Sequence, residues 1–468
     1  MKTRNTKSNI AFASLLFAFW FGFATPSFAV PSFARQTGMA CQACHTVFPE
    51  LTPFGRLFKL NAYQIDNLPQ VQGITTSKDY ELLLNQVPPL SVMLQTSYTK
   101  TKTALPDTGV PGALAQNGQV LFPEQASLFY AGRVAPGLGA FVQLTYDSAS
   151  GSVGFDLAEV RYARQLALAA DTLTWGLTLN NNPTVQDVWN STPVWQTPFD
   201  QRSGAAPAPG AATMIDGALA DKGVAGASAY LWWRNSVYAE FGLYKSAPQA
   251  FSNPGTGAAG PLDSSTGGAL TNNAPYWRLA YEHQWDRNAL SVGTYGLVAK
   301  VSPPGQPIAD PSDRFRDTAF DAQYQYLGDD HIVSLQGTYI KEKQNLDGSF
   351  ALGESENATG DLKTTRLGGS YYFRRTYGAA FGVFSTTGSS DAVRYAANPV
   401  FTPAGFANNS PNSKGWTAEL DYIPWQNVKL AAQYVAYQKF NGDSTNYDGA
   451  GRNASDNNTL YFLAWLAF

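Results

Sequence analysis

Charge is scarce in this sequence. Of 468 residues, 14% are charged, where an ordinary soluble domain carries about 25%. Lys and Arg number 32 against 35 Asp and Glu, a formal net charge of −3. So even a balance gives no reason to expect a nucleic-acid partner. Cysteine is scarcer still: there are two, Cys41 and Cys44, too few and too close together for a disulfide framework. Long apolar runs are also missing. Ile10 to Phe23 is the main one, and it falls short of the ~20 residues that a spanning helix needs. Nothing later approaches that length, so a membrane form of this chain crosses as strands.

The apolar run has a processing context instead. Lys2, Arg4 and Lys7 form a basic start, and Ser27-Phe28-Ala29 is a small-x-small site. This pattern predicts a secretory signal over residues 1–29, cleaved after Ala29. The competing reading, an uncleaved anchor, fits the short run poorly.

What the sequence does have is aromatic residues, 13% of the total with 24 Tyr, 28 Phe and 11 Trp, together with 42 Gly. Many aromatics with few charges fit a transmembrane barrel, whose wall alternates apolar and polar residues. Residues 30–75 hold the cysteines and a short helical pattern, residues 76–87 read as a linker, and residues 88–468 repeat strand-length segments. Val237, Ala239, Phe241 and Leu243 alternate with Tyr238, Glu240, Gly242 and Tyr244. Phe320, Ala322 and Tyr324 alternate with Asp321, Gln323 and Gln325. Side chains alternate across a strand, so each segment has an apolar face. Tight junctions such as Pro136-Gly137, Asp286-Arg287-Asn288 and Gly328-Asp329-Asp330 separate some segments. Long polar stretches, 181–221, 247–274 and 389–413 among them, separate others. Short turns alternating with long loops are the habit of outer-membrane barrels, and the candidates number about 16, an even count as bacterial barrels require. The last strand, Asn458 to Phe468, ends on an aromatic residue, as barrel sorting signals do. It breaks the pattern in one respect: Tyr461, Leu463 and Trp465 make its second face apolar too. A soluble sandwich or propeller would not be expected to pair short and long connections in this way. The fold expected is an all-β, antiparallel barrel of about 16 strands with a small helical plug, in the outer membrane.

Both cysteines fall in Cys41-Gln42-Ala43-Cys44-His45. C-x-x-C-H is the attachment sequence of c-type haem. The two thiols add across the porphyrin vinyl groups, and the histidine reaches the iron from the proximal side. A redox C-x-x-C would want a thioredoxin-like setting, and a zinc site would want more ligands nearby. Neither context is present. Downstream, Thr52 is a plausible helix N-cap with Pro53 at the first helical position. Phe54, Leu57 and Phe58 then share a face, which either covers a haem or forms the core of a small plug. Arg35, Arg56 and Lys59 are candidates for pairing with haem propionates, or simple surface charges. Roughly 45 residues cannot bury a haem alone. The barrel wall is the available shell, and a lumen of about 16 strands has room for a small insert.

Candidates for the second axial ligand are few: Met39, Met93, Met214, His283 and His331. His283 and His331 fall on outward-facing parities beside short turns. Met93 falls with Ser91 and Gln95 on the lumen-facing parity of the first strand, and it is the ligand preferred here, with a five-coordinate or water-bound haem as the open alternative. Met39 lies nearer the motif, and its closeness to Cys41 restricts its reach to the haem face opposite His45.

Ala29-Val30-Pro31-Ser32-Phe33-Ala34-Arg35, five residues, the haem motif, three residues, and Pro49-Glu50-Leu51 together form A-x-P-x-F-A-R-x5-C-x-x-C-H-x3-P-x-L. This stretch resembles the fused monohaem cytochrome–porins of the outer membrane, best known from iron-oxidising bacteria, and matches at every fixed position. The resemblance implies one covalent haem c and an electron conduit. Such a conduit takes electrons from extracellular Fe(II) or another redox donor and passes them to a periplasmic carrier, as an Fe(II) oxidase or cytochrome c oxidoreductase. Cys41, Cys44 and His45 would carry that chemistry, and membrane lipid would surround the barrel. Two other readings stay open: a diffusion porin with a structural or sensory haem segment, and a conduit delivering electrons outward.

Overall fold

A computed structural model describes residues 31–65, 71–77, 80–85, 87–105, 118–148, 151–168, 171–193, 206–219, 223–247, 268–303, 311–396, 406 and 408–468. The expected signal segment, 1–29, lies outside these residues.

Three short helices come first: α1 (Pro31–Thr37), α2 (Cys41–Cys44) and α3 (Pro53–Leu60). They end at Leu60, within the 30–75 segment expected to form the plug. Residues 76–87, read above as a linker, are partly strand. Val71–Ser77 (β1) and Tyr80–Asn85 (β2) pair as an antiparallel hairpin. The Tyr80-Glu81-Leu82-Leu83-Leu84 run is strand-forming, and β1 supplies the partner that a linker would lack.

Sixteen strands, β3 (Leu90–Thr101) to β18 (Thr459–Ala467), then form one closed barrel. Each strand pairs antiparallel with its sequence neighbours, and β18 closes the ring on β3. Closure leaves no edge strand, so every ladder is satisfied without water.

The wall is inside-out relative to a soluble protein. In β9 (Val237–Ser246), Phe241 is 55% exposed while Glu240 is 5% exposed. In β12 (Asp313–Leu327), Phe320 is exposed while Asp321, Gln323 and Gln325 are buried. Leu177, Leu231, Leu279, Leu367, Phe381 and Leu420 continue the apolar exterior. Trp233, Trp285, Tyr371, Tyr377 and Tyr422 gather near the tight turns on the same outer surface, as an interfacial aromatic girdle does. An apolar exterior around a polar interior is stable only in lipid, and the protein is an outer-membrane barrel.

Tight turns and long connections fall on opposite rims. The turn at Pro136-Gly137 joins β4 (Gln119–Ala135) to β5 (Leu138–Asp147), with Gly137 at φ +78°. Pro first and a left-handed Gly second is the chemistry of a type II turn. The barrel begins at Leu90 and finishes at Ala467 on this same rim, which by the usual barrel habit is periplasmic. On the opposite rim the 181–221 stretch is not simply a loop. After β7 (Asp171–Asn180) the chain turns inward through α4 (Pro183–Gln186) and buries Trp189 to 1% exposure. Met214–Ala218 also folds inward, where its backbone amides donate to Glu342 and Asp317, each at 2.6 Å. The apolar residues Val185, Val188, Trp189, Met214 and Ile215 explain both excursions, since a polar loop would have no reason to leave water.

Candidate functional site

The plug sits in the lumen against the tight-turn end of the wall. The Cys41 amide donates to Gln426 Oε1 at 3.2 Å, and Gln426 lies in a tight turn. Gln64 bridges the Pro136-Gly137 turn, donating to the Ala135 carbonyl at 3.1 Å and accepting from the Gly137 amide at 3.0 Å. Arg35 donates to the carbonyl of Leu90, the first barrel residue.

Within the plug, short helices are set by local chemistry. Thr52 caps α3 by accepting from the Gly55 amide at 3.1 Å, with Pro53 at the first turn, as its sequence predicts. Thr52 also ties α3 to α2: its hydroxyl donates to the Ala43 carbonyl at 2.6 Å and its amide to the Cys44 carbonyl at 2.9 Å. Gly55 makes the approach possible, because a Cβ there would lie 2.2 Å from the Cys44 carbonyl oxygen. Glycine weakens an isolated helix, but only glycine lets this helix seat on the cysteine segment. Of the expected helical face, Phe58 lines the cavity, Leu57 packs beside Val188 and Trp189, and Phe54 is exposed. The face splits because the plug is enclosed from several sides.

Cys41, Cys44 and His45 line one cavity. The plug supplies Phe33, Phe48 and Phe58, and the wall supplies Phe129, Phe141 and Leu157. The inward connection adds Val185 and Val188. The unfilled space is about 1170 Å³, part of it open to solvent. The His45 imidazole is half-buried and lies against the backbone of Pro49 and Glu50. Burial pulls its pKa down to about 4, against a weaker upward pull from the Pro49 and Glu50 backbone. It is therefore a neutral imidazole at neutral pH, the form that binds metal. Burial, then the neighbouring Cys41, pushes the Cys44 thiol up to about 11. An apolar cavity flanked by two thiols and one neutral imidazole fits a covalently bound haem.

The plug is bolted to the wall by buried polar groups. Glu50 accepts from Thr46 at 2.6 Å, from Gln323 at 3.0 Å and from Gln325 at 2.9 Å, and also from Ser334. Burial pushes its pKa up, while the Ser334, Thr46 and Gln325 hydrogen bonds pull the other way. Arg56 Nε pairs with Glu282 at 2.8 Å, and Nη1 donates to the Leu51 carbonyl at 2.7 Å. The Tyr63 hydroxyl donates to Glu159 at 2.9 Å. Arg56 is 2% exposed, so of the three propionate candidates it is committed to the wall. Arg35 is exposed and does not line the cavity; Lys59 lines it and donates to the Val185 carbonyl. The clamps through Glu50 and Tyr63 were invisible in sequence. Their one trace is the run of Gln, Ser and Glu on the inward parity of wall strands.

Met93 points into the lumen, as its strand parity predicts, and is 1% exposed. It packs with Tyr461, Leu463 and Trp465 and borders a second, smaller cavity. It is not among the residues lining the cysteine cavity, whereas Met39 is. His283 and His331 are exposed on the outer surface, beside Trp285 and Tyr371 respectively.

No protein-family model matches the sequence, and no curated protein matches it. Solved structures do match in shape. The outer-membrane channel DcaP of Acinetobacter baumannii aligns with a TM-score of 0.45 at 13% identity, covering 81% of this chain and 96% of that one. OmpF of Salmonella typhi, solved with daunomycin, aligns at 0.43 and 14%, covering 81% and 97%. OmpT of Vibrio cholerae aligns at 0.40 and 11%, covering 81% and 97%. Likeness at this level carries no functional inference.

Proposed function

We propose that this barrel carries one covalent haem c in its lumen and moves electrons between an extracellular donor, Fe(II) in the first instance, and a periplasmic carrier. The observation behind this reading is the convergence of Cys41, Cys44 and His45 on one apolar cavity built jointly by plug and wall. When bound, haem c supplies reversible one-electron chemistry at its iron. The residues would do the rest. Cys41 and Cys44 would hold the porphyrin as thioethers, each S–H adding across a vinyl double bond with no leaving group. His45 would hold the iron through a ring nitrogen. Phe33, Phe58, Phe129 and Phe141 keep water away, and Glu50 and Arg56 hold the assembly in register with the wall.

Position matters to this reading. The plug contacts β12 at Gln323 and Gln325, while that strand's outer end is Asp313. From Gln323 to Asp313 is about 33 Å along the strand at ~3.3 Å per residue. Electron transfer falls off steeply with distance, so a donor confined to the outer rim would be slow. In this proposal the donor enters the lumen from the long-loop side, and the carrier docks at the tight-turn rim.

A second reading has its own support. A closed barrel of sixteen strands with a polar lumen is also the architecture of diffusion channels. The deciding experiment exposes intact cells making the protein to Fe(II) and follows the haem absorption, beside a solute-flux assay in proteoliposomes. The conduit predicts rapid haem reduction and little flux. Free passage of small solutes with no reduction would establish the channel reading instead. Reduction driven only from the periplasmic side would mark outward delivery.

A further inference from the structure

We propose that Met39 supplies the second axial ligand to the haem iron, so that both axial ligands come from the plug and none from the barrel wall. The proposal rests on the covalent haem at Cys41, Cys44 and His45 argued above.

The inventory of ligands is short: three histidines and four methionines in the whole chain. His283 stacks on Trp285 with ring centroids 5.4 Å apart, and His331 Nδ1 meets the Tyr371 hydroxyl at 2.8 Å. Both are on the lipid side of the wall, so the chain has no second imidazole to offer inside. Met214 is buried in the outer half of the lumen among Leu297, Ile340 and their neighbours. Met1 lies outside the described residues.

Met93 is inside but behind a barrier. Phe48 and Phe129 line both cavities. The Phe48 ring sits 5.0 Å from the His45 ring on one side and 4.9 Å from Trp465 on the other. Met93 belongs to the Trp465 side of that wedge, and its sulfur accepts from Gln95 at 3.8 Å. Bringing it to the His45 cavity requires moving two packed phenyl rings.

Met39 needs no such move, because it already lines the cavity with Cys41, Cys44 and His45. The chain leaves α1 at Gly38, whose φ of +69° turns it toward the motif. The Met39 amide is held by Thr37 Oγ1 at 3.2 Å, and the Cys41 amide is held by Gln426. Backbone pinned on both sides leaves the half-buried thioether as the part free to reorient. Lys59 also lines the cavity. Its nitrogen is already engaged by the Val185 carbonyl, a bond that turning to the iron would break. Thioether opposite imidazole is an established pair on c-type iron and raises the potential relative to two imidazoles.

The test uses the full-length, haem-loaded protein and its spectra. Ferric wild type should show the weak near-infrared sulfur-to-iron charge-transfer band. Met39→Leu should lose that band at unchanged covalent haem content. Met39→His should give a low-spin bis-imidazole spectrum and a lower midpoint potential. If Met39→Leu does not accumulate, Met39→His carries the test. A band that survives either substitution, is absent from wild type, or vanishes in Met93→Leu would overturn the assignment. So would loss of the low-spin spectrum in Lys59→Gln. A wild-type protein with no covalent haem would instead overturn the reading on which the assignment stands.

Discussion

Replacing Arg56 by Met should release the plug from the wall. Its guanidinium is 2% exposed, and Nε lies 2.8 Å from Glu282, itself 1% exposed. Met keeps much of the stem volume but removes the charge and the bonds to the Leu51 carbonyl, Gln323 and Gln325. Glu282 would keep only the Trp189 indole at 3.1 Å and Gln284 at 2.8 Å. Breaking a buried pair by deleting one partner typically costs about 3–5 kcal/mol, because the other charge stays buried. At ~1.4 kcal/mol per tenfold, the docked state of the plug loses a factor of about 100 or more. Hydrogen exchange over residues 31–65 of the detergent-solubilised protein reads this directly. Protection there should fall by that factor while barrel strands such as β12 stay protected. Conductance in planar bilayers should rise as the lumen opens. Adding Glu282→Gln should recover much of the loss, since the stranded charge is gone. Unchanged plug protection in the single variant would refute the idea that this ion pair holds plug to wall.

Other expectations follow from the same geometry. Gly55→Ala puts a methyl 2.2 Å from the Cys44 carbonyl oxygen. Overpacking of this kind costs about 1–3 kcal/mol, and the yield of covalent haem, measured on denaturing gels, should drop while barrel assembly persists. Trp189→Ala removes an indole packed under Arg278, 4.7 Å from its ring, and hydrogen-bonded to Glu282; a loss of about 3–5 kcal/mol should raise bilayer conductance, and an unaltered pore would contradict the inward connection. Leu279→Arg, at a position 52% exposed on the outer surface, should cost about 2–4 kcal/mol near the bilayer midplane; equilibrium unfolding from lipid vesicles measures it, and a neutral result would mean that this face does not meet lipid.

Much of the architecture was legible because a barrel wall has a period of two and a fixed punctuation. Val237 and Phe241 outward, Tyr238 and Glu240 inward, follows from strand geometry once the segment is recognised. Tight turns carry their own chemistry, as at Pro136-Gly137. The exception in the last strand also resolves: Tyr461, Leu463 and Trp465 face the lumen because Met93 and the plug residue Phe48 pack there. Local pattern cannot show such a reason, since the partners are hundreds of residues apart. The same distance hid the Glu50 clamp, whose wall partners Gln323, Gln325 and Ser334 look like ordinary inward polar residues.

By itself the sequence determined an antiparallel barrel of about sixteen strands, the inward and outward faces, and the grouping of two thiols and one imidazole in Cys41-Gln42-Ala43-Cys44-His45. These depend on residues within one strand, one turn or one five-residue motif, where covalent geometry limits the outcomes. Tertiary structure alone decided that residues 181–193 fold inward, that Arg56 belongs to the wall, and that Met39 shares the motif's cavity while Met93 lies beyond Phe48. Those outcomes depend on which surfaces meet across the lumen, and only closure of the barrel around its plug brings them together.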